Sequence, residues 1–379
     1  MGDEVAALAN VLIVGGGMAG MTLAIGLRRS SIASEIVEIN RDWTALGVGI
    51  ALQGPTLRAL RTIGLLDECV ALGFGYSYFK ACDAAGNVTG TVDLPRLNGP
   101  DYPASMGVMR QQLHALLQRA VHAADVGVRR GVTVASLDQS QDGVAVEFDD
   151  GTTGTYDLVV GADGANSKIR DLLFGTASRP RYTGQAVWRA TVSRPPEVQA
   201  RFSFFGPRNK AGFNPVSDDQ MYVYLVQNLP EFVRLTDPQL IEVMLEQLTD
   251  FGGLIAAARA EISDPGAIVY RPITSHVLPS PWYRGRVLLI GDAAHTATPH
   301  MASGAGIAIE DAIVLAELLH SERSVPPALE KFMTRRYQRC RMVVESSFQL
   351  GEWEKTPDAT GSDPVGLLNK SMQALAQPI

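Results

Sequence analysis

The sequence NVLIVGGGMAGMTLAIGLRR, residues 10–29, decides the fold of this chain. It begins with a short apolar run of the kind found in strands that are buried on both faces. Three glycines follow with the spacing GxGxxG, at Gly15, Gly17 and Gly20. The first allows a tight turn, the second lets a pyrophosphate approach the backbone, and the third lets helix and strand pack closely. We therefore predict a strand, a glycine turn and a helix over residues 18–29.

The start of that helix is a predicted phosphate site. Free N–H groups there, including those of Met18 and Ala19, and the partial positive charge of the helix end favour an anion. The next apolar segment leads to Glu38, 18 residues after Gly20, where a carboxylate that binds a ribose hydroxyl is expected. An acid there favours a free ribose over a 2′-phosphate, so the expected ligand is FAD or NAD. The alternative is a βαβ unit whose glycines serve packing alone.

The composition narrows the class of protein. The chain has 379 residues, 46% hydrophobic and 19% charged, which is typical of globular proteins with about two domains. A net charge of −7 without runs of lysine or arginine argues against a nucleic-acid partner. The widely spaced Cys69, Cys82 and Cys340 predict reduced thiols, with neither a disulfide framework nor a metal site.

The sequence also predicts the compartment. No apolar stretch reaches the length of a bilayer span. Residues 1–4 are acidic, whereas a signal peptide starts with basic residues. We therefore expect a cytoplasmic protein without stable membrane association.

Two later segments repeat the pattern of an apolar strand that ends on glycine and an acid. Residues 158–162 lead into Asp163 and Gly164, and residues 286–290 lead into Gly291 and Asp292. In open α/β sheets, ligands gather at the carboxyl ends of the strands. If the three strands share one sheet, their turns face one crevice that is long enough for a dinucleotide and a third ring system.

The remaining sequence predicts a second, mainly antiparallel sheet. Aromatic residues at strand spacing fill residues 179–271, with a strand over 221–226 and a covering helix over 242–251. This region is either a lid over a small apolar ligand or a plain aromatic core. A long helix is predicted over residues 307–320, Pro326 and Pro327 are expected to break the chain, and the tail after Thr356 is expected to be loose.

The predicted fold is α/β, with a Rossmann-like dinucleotide-binding domain, an inserted, mainly antiparallel β-sheet substrate domain and C-terminal helices. The predicted boundaries are 1–75, 103–178 and 281–325 for the dinucleotide-binding domain, 76–102 and 179–280 for the substrate domain, and 326–379 for the C-terminal helical region and tail.

Together, the motifs resemble a known family. The GxGxxG of residues 15–20, the GADG of residues 161–164 and the GDAAH of residues 291–295 resemble, in order and spacing, the triple fingerprint of the class A flavoprotein aromatic monooxygenases. That family includes p-hydroxybenzoate hydroxylase. The segment PHMASGAGIAIEDA at residues 299–312 is most similar to the branch that contains salicylate hydroxylase and 6-hydroxynicotinate 3-monooxygenase.

The resemblance implies that the cofactor is FAD. Glu38 would bind the adenosine ribose, Arg110 the phosphate and ribityl region, and Asp292 the ribityl chain. Asp163 would serve both FAD and NAD(P)H binding. Pro299 would lie beside the isoalloxazine ring. The full set of expected cofactor contacts is Gly15, Gly17, Met18, Ala19, Gly20, Glu38, Arg41, Arg110, Val134, Asp163, Gly164, Gly291, Asp292, Gly304, Ala305 and Gly306.

The role of one residue is undecided, and some other positions depart from the family pattern. Arg41 could reach a phosphate, or it could be a solvated loop arginine. Several relatives have a histidine in the glycine loop near the flavin, whereas this chain has Ala51, Leu52 and Gln53 there. An arginine common just before that loop is absent at Ala45. We therefore expect a substrate base that differs from that of the best-known members.

The implied reaction is hydroxylation of an aromatic ring. NADH or NADPH reduces FAD, oxygen forms a flavin hydroperoxide, and an electron-rich ring attacks it. A base within hydrogen-bond reach would ionise a ring hydroxyl. His300 is the first candidate because it follows Pro299, and Tyr222 and Tyr224 come next. We expect alternation along the strand to let only one of these tyrosines face the pocket. His295 is assigned a structural role.

Two other functions remain open. One is an FAD-dependent epoxidase or a tailoring or drug-inactivating monooxygenase on the same fold. The other is a non-catalytic flavin-binding redox sensor, which would need no open substrate cavity. The expected partners are a small aromatic substrate, NAD(P)H and O2, and the expected oligomeric state is a monomer or a homodimer.

Overall fold

The computed structural model describes residues 10–45, 47–356 and 360–379. The predicted acidic start at residues 1–4 lies outside the described residues, as does Leu46, which follows Ala45. The strands are β1 (Asn10–Val14), β2 (Ala33–Glu38), β3 (Gly49–Gln53), β4 (Phe74–Tyr76), β5 (Tyr78–Asp83), β6 (Val88–Asp93), β7 (Ser105–Met109), β8 (Gly127–Arg130), β9 (Val134–Gln139), β10 (Val144–Phe148), β11 (Thr153–Tyr156), β12 (Leu158–Gly161), β13 (Arg181–Ser193), β14 (Arg201–Phe205), β15 (Lys210–Pro215), β16 (Gln220–Asn228), β17 (Ile268–Val277), β18 (Tyr283–Arg284), β19 (Val287–Leu289) and β20 (His295–Thr296). The helices are α1 (Met18–Arg29), α2 (Gly54–Thr62), α3 (Leu66–Ala71), α4 (Arg110–Ala123), α5 (Lys168–Phe174), α6 (Asp237–Gln247), α7 (Gly253–Arg259), α8 (Gly304–Glu322), α9 (Val325–Lys355) and α10 (Pro364–Ala376).

The first large sheet carries the three predicted motif strands side by side. Its strand order is β18-β19-β12-β1-β2-β8, and β19, β12, β1, β2 and β8 run parallel. Val14 pairs with Gly161, and Gly161 pairs with Leu289, so the strands end at the same edge. The glycine turn, the Asp163 turn and the Asp292 turn therefore lie next to one another, as the sequence predicted.

Helices cover this sheet and create its core. Val11, Leu12 and Ile13 of β1 have no exposed surface, in keeping with a strand that is buried on both faces. Helix α1 packs against α8, and a Cβ at Gly26 would lie 2.8 Å from the Cβ of Ala316. The small residue thus lets the two helices approach closely, which fixes the first turn of α8 near the glycine turn.

The second large sheet is mainly antiparallel, with the order β20-β17-β13-β16-β15-β14-β5-β6. One face carries Trp188, Phe204 and Phe213 and packs under α6 and α7 in an apolar core. Side chains alternate along each strand, so the residues in between point to the other face. That second face carries Arg189, Arg201, Ser203, Tyr222, Tyr224 and Asn214, and we call it the polar face.

Smaller sheets connect these parts. Strands β3, β7 and β4 form one antiparallel sheet, and β11, β10 and β9 form another. Strand β7 also lies against the polar face, because a Cβ at Gly107 would lie 2.2 Å from the side-chain nitrogen of Asn214. Within the described ranges, none of the helices combines the length and apolar character needed to span a bilayer.

Two predictions near the C-terminus are wrong. Pro326 and Pro327 do not break the chain but lie in the first turn of α9, where a missing N–H costs no helical hydrogen bond. The tail after Thr356 is not loose throughout, because α10 packs against α9 and buries Ser371 and Leu375. The apolar residues of α10 recur at helical spacing, and the glycine and proline residues before it obscured that signal.

Helix α6 lies earlier than predicted. It begins at Asp237 and ends at Gln247, and not over residues 242–251. A capping box between Thr236 and Gln239 starts it, because each of these residues satisfies a backbone N–H of the other.

Candidate cofactor groove and active site

The glycine turn forms a cradle that side chains would fill. A Cβ at Gly20 would lie 2.0 Å from the carbonyl oxygen of Gly15, and one at Gly15 would lie 2.5 Å from that of Ala162. A Cβ at Gly17, in contrast, would meet no heavy atom within 4 Å. The backbone at Gly17 therefore faces open space at the N-terminus of α1, which is the geometry that a pyrophosphate requires.

Glu38 closes the side of this turn. Its carboxylate accepts hydrogen bonds from the backbone N–H of Gly16 and of Asn40, both at 2.7 Å. A carboxylate has further lone pairs, so Glu38 can also accept from a sugar hydroxyl. Arg41 is exposed and packs its side chain over Gly131, so contact with a phosphate stays a prediction.

Trp43 contacts the glycine turn from the segment after β2, and the sequence did not predict this contact. Its indole N–H donates to the carbonyl oxygen of Gly16 at 2.8 Å, and the side chain is buried. A Cβ at Gly16 would lie 2.3 Å from the indole nitrogen, which explains why the middle residue of the turn is also a glycine. The sequence held one hint of this contact, which was a single tryptophan in the polar segment that follows Glu38.

Asp163 leaves one oxygen unused beside the cradle. Its Oδ2 accepts from the backbone N–H of Lys168 at 2.8 Å and of Ile169 at 3.1 Å, which caps α5. Its Oδ1 is buried and has no hydrogen-bond partner among the described residues. Burial raises the pKa of this carboxyl, although the hydrogen bonds oppose the shift. An unpaired acceptor at this position fits a ligand that brings hydroxyl groups.

Asp292 and Arg110 face each other across the middle of the groove. The side chain of Asp292 is exposed to the groove, and the protein atoms that line the groove reduce its hydration and raise the pKa of the carboxyl. Positive charge from His295 and Arg110 opposes that shift. Burial likewise lowers the pKa of Arg110, and the neighbouring Arg189 adds to that shift. The pair offers one acceptor and one cation to a polar chain with hydroxyl and phosphate groups.

The start of α8 forms the far end of the groove. A Cβ at Gly306 would lie 2.3 Å from Oγ1 of Thr56, whereas one at Gly304 would meet nothing closer than the Cβ of Ala297 at 3.8 Å. The first turn of α8, which also contains Ala305, is thus packed on one side and open on the other.

Val134 is fully buried in the main core, so its side chain does not border the groove. Its contact with the cofactor stays a prediction.

A buried ion network holds the turn at Gly291 in place. Asp311 of α8 accepts from the backbone N–H of Gly291 at 3.0 Å and lies 2.6 Å from Nε2 of His295. Its other oxygen accepts from Arg336 of α9 at 2.8 Å, and Arg336 also donates to Glu310 at 2.9 Å. His295 thus has structural partners, and α9 supports the turn that presents Asp292.

His300 is buried behind the wall of the site. Its Nδ1 lies 2.8 Å from Oγ1 of Thr298, and its Nε2 lies 3.3 Å from Oε2 of Glu354. The side chain is 0% exposed, so the main chain of His300 borders the neighbouring cavity and the imidazole does not. Direct contact with a substrate would require the ring to leave these neighbours. The role of His300 as a base therefore stays a prediction.

Both predicted tyrosines lie on the polar face. Tyr222 and Tyr224 are two residues apart in β16, and their ring centroids are 6.4 Å apart. The prediction that only one of them can face the pocket is wrong, because residues two apart along a strand point to the same side. Burial raises the pKa of Tyr222 to about 12, and the hydroxyl of Tyr224 lies 2.7 Å from Oγ of Ser203.

A cavity opens next to the groove, between the polar face, α2 and α10. It encloses about 590 Å³ of empty space, part of it continuous with solvent. The turn Pro299–Met301 belongs to its wall through His300 and Met301, while Gln53 and Arg201 supply polar groups. Gln53 also donates to the carbonyl oxygen of Met301 at 2.6 Å. The cavity therefore shares a wall with the place where the resemblance puts the flavin ring.

The chain belongs to the family described as FAD binding domain, which matches residues 8–347 and contains the class A flavin monooxygenases. It is 30% identical to 2-heptyl-3-hydroxy-4(1H)-quinolone synthase from Pseudomonas aeruginosa, over 91% of this chain and 90% of that protein. It is 28% identical to 6-hydroxynicotinate 3-monooxygenase from Bordetella bronchiseptica, over 81% of this chain and 82% of that protein.

The fold agrees with solved structures of the same class. HpxO of Klebsiella pneumoniae, crystallised with FAD and uric acid, superposes with a TM-score of 0.84 at 23% identity, over 97% of this chain and 92% of that chain. The protein is thus an FAD-dependent monooxygenase, an oxidoreductase whose groove residues fit the cofactor. The predicted family, fold class and cofactor are confirmed.

Proposed function

We propose that the protein hydroxylates a small aromatic or N-heteroaromatic compound and consumes NAD(P)H and O2. The observation that carries this proposal is that the turn Pro299–Met301, which the resemblance puts beside the flavin ring, also lines the adjoining cavity. Relatives named for 6-hydroxynicotinate and for a heptyl-hydroxyquinolone support aromatic nitrogen heterocycles as a substrate class. NAD(P)H is the reductant that is typical of this family.

The residues of the groove have proposed roles in this reaction. Bound FAD would supply hydride acceptance and oxygen activation. Glu38 would hold the adenosine ribose, and Arg110 and Asp292 would hold the ribityl and phosphate region. The N-terminus of α8 would stabilise negative charge on the reduced ring. Pro299 would pack beside that ring.

The polar face would orient the substrate. Tyr222 and Tyr224 point to the same side of the sheet, so both could contact a ring or its hydroxyl group. If the ring turned from Glu354 toward the cavity, His300 would take up a proton at Nε2, because in the buried position Nδ1–H is directed at Thr298 and Nε2 faces Glu354. This tautomer is the better assignment, since the Thr298 hydroxyl donates to Ser347 and the Ser347 hydroxyl donates to the carbonyl oxygen of Thr298.

The test is a turnover assay of the FAD-loaded protein. NADH and NADPH oxidation would be followed with a panel of hydroxylated benzoates, pyridines and quinolines, and products would be analysed by mass spectrometry under ¹⁸O2. We expect at least one compound to stimulate oxidation and to gain a single ¹⁸O atom. Tight FAD binding without any stimulation or product would contradict the proposal and favour a flavin-binding redox sensor.

A further inference from the structure

The cavity beside the turn Pro299–Met301 is lined by two chemically different groups of residues, which we call its polar and its apolar end. The polar end contains Arg201, Ser105 and Gln53. The apolar end contains Leu97 and residues of α10. None of the described residues that line the cavity is acidic.

Arg201 is a cation without a carboxylate partner in the described part of the chain. Its guanidinium lies over the ring of Phe79, 4.9 Å from the ring centroid. Its Nε is buried and makes no hydrogen bond to any described residue. The residue as a whole is half-buried, so an oxyanion that enters the cavity would satisfy this unpaired N–H group and meet a positive charge. The cavity therefore offers a recognition group for a carboxylate or another oxyanion.

Helix α10 supplies the apolar end. Leu368, Met372 and Ala376 face the cavity one above the other, at the helical spacing of four residues. The family model matches residues 8–347, so α10 lies outside the matched segment.

Hydrogen bonds fix α10 in this position. Arg58 of α2 donates to the carbonyl oxygen of Ala376 at 2.7 Å, and Arg339 of α9 donates to that of Leu375 at 2.8 Å. These arginines satisfy carbonyl groups at the end of the helix that have no helical partner. The wall is consequently held by two other helices and is part of the folded protein.

We infer that the cavity selects amphiphilic aromatic acids, with the anionic group at Arg201 and an apolar substituent against Leu368 and Met372 of α10. This inference deepens the proposed function and rests on it for the assignment of the cavity to the substrate. It adds a specificity-determining cation and a specificity-determining helix that the family motifs do not include.

Three probes separate the two ends of the cavity. They are 2-hydroxybenzoate, 4-hexyl-2-hydroxybenzoate and 3-hexylphenol, which has the tail but no carboxylate. Dissociation constants would be measured by flavin difference absorbance of the FAD-loaded protein. We expect the hexyl acid to bind more tightly than the parent acid by at least about tenfold, since each buried methylene favours binding. Equal affinities would overturn the inference.

Variants assign each end to its residues. Arg201→Met should weaken the hexyl acid about tenfold or more and leave 3-hexylphenol nearly unchanged. Leu368→Trp should remove the advantage of the hexyl tail, whereas Val365→Trp, at a position of the same helix that is 67% exposed, should not. Retained FAD and unchanged thermal unfolding would show that each variant folds. A Leu368→Trp protein that keeps the full tail advantage would exclude α10 as the wall.

Binding and turnover distinguish this inference from the proposed function. If the hexyl acid binds as expected but no compound of the panel stimulates NAD(P)H oxidation, the proposed function fails, and the cavity stands only as a binding site for amphiphilic acids. If smaller aromatic acids are hydroxylated while the tail gives no advantage, the inference fails and the proposed function stands.

Discussion

At the scale of single residues, the environment of His300 is set by charges from two elements. Burial lowers the pKa of His300, while Glu354 of α9 raises it and Lys210 of β15 lowers it. Burial alone would raise the pKa of Glu354, but Lys210 and His300 lower it to about 2. Because the pKa of His300 is lowered, Lys210 is the cation that keeps Glu354 ionised at neutral pH. Glu352 is a weaker negative neighbour and pairs with Lys355 at 2.6 Å.

These contacts predict how the pKa of His300 responds to substitution. Glu354→Gln removes the nearest negative charge and should lower the pKa of His300, measured by ¹³C NMR titration of the imidazole Cε1. The spectrum of His300→Asn assigns the signal among the six histidines. Glu352→Gln is the matched control and should produce a smaller shift. An unchanged titration in Glu354→Gln would show that the two side chains do not interact in solution.

At the scale of elements, the α8–α9 interface depends on charges that have no access to water. Arg336, Asp311 and Glu310 are at most 1% exposed, and Arg336 donates to both carboxylates. His295 also contacts Asp311, and Arg339 also contacts Glu310. Removing one partner of a buried pair leaves the others uncompensated. The arginine before it, Arg335, pairs with Glu317 at 3.1 Å on the surface, where an ion pair contributes little.

The two neighbouring arginines therefore form a matched test. Arg336→Met should lower the free energy of unfolding by about 3 kcal/mol, because Asp311 and Glu310 lose the cation that they share and keep only His295 and Arg339 as partners. Arg335→Met should change it by about 0–1 kcal/mol. Urea unfolding of the FAD-loaded proteins measures both values. Similar effects of the two substitutions would mean that water reaches the buried network.

At the scale of the whole molecule, the sequence predicted the parts that are local along the chain. The turns at Gly15, Asp163 and Asp292 each combine a strand, a glycine and an acid within a few residues, and the parallel sheet brings them together. Contacts between distant segments could not be predicted. Lys210 and Glu354 are 144 residues apart, and Arg201 meets the cavity only because β14 lies beside β5.

The cofactor is expected to contact all three turns. Its presence should therefore reverse the effect of Asp292→Asn on thermal stability. Asp292 is exposed to the groove, but the protein atoms around it reduce its hydration and raise its pKa in the folded chain. The cofactor-free fold therefore loses stability as the pH rises from the ordinary pKa of an aspartate through the raised pKa of Asp292. The Asp292→Asn variant has no ionisable group at this position, so it does not lose stability in this way as the pH rises. Its cofactor-free form should therefore melt above the parent protein at pH 7, and the two should converge below about pH 4.

With FAD bound, Asp292→Asn should melt below the parent protein. A carboxylate that accepts from a sugar hydroxyl makes a charge-assisted hydrogen bond, which the amide replaces with a weaker one. Asp292→Asn should therefore bind FAD about tenfold more weakly, and ligand binding to the native state raises stability in proportion to RT ln(1 + [FAD]/Kd). Melting curves with and without FAD at pH 4 and pH 7 measure both effects. If Asp292→Asn melts below the parent protein even without FAD, the carboxylate stabilises the empty fold, and its assignment to the cofactor is wrong.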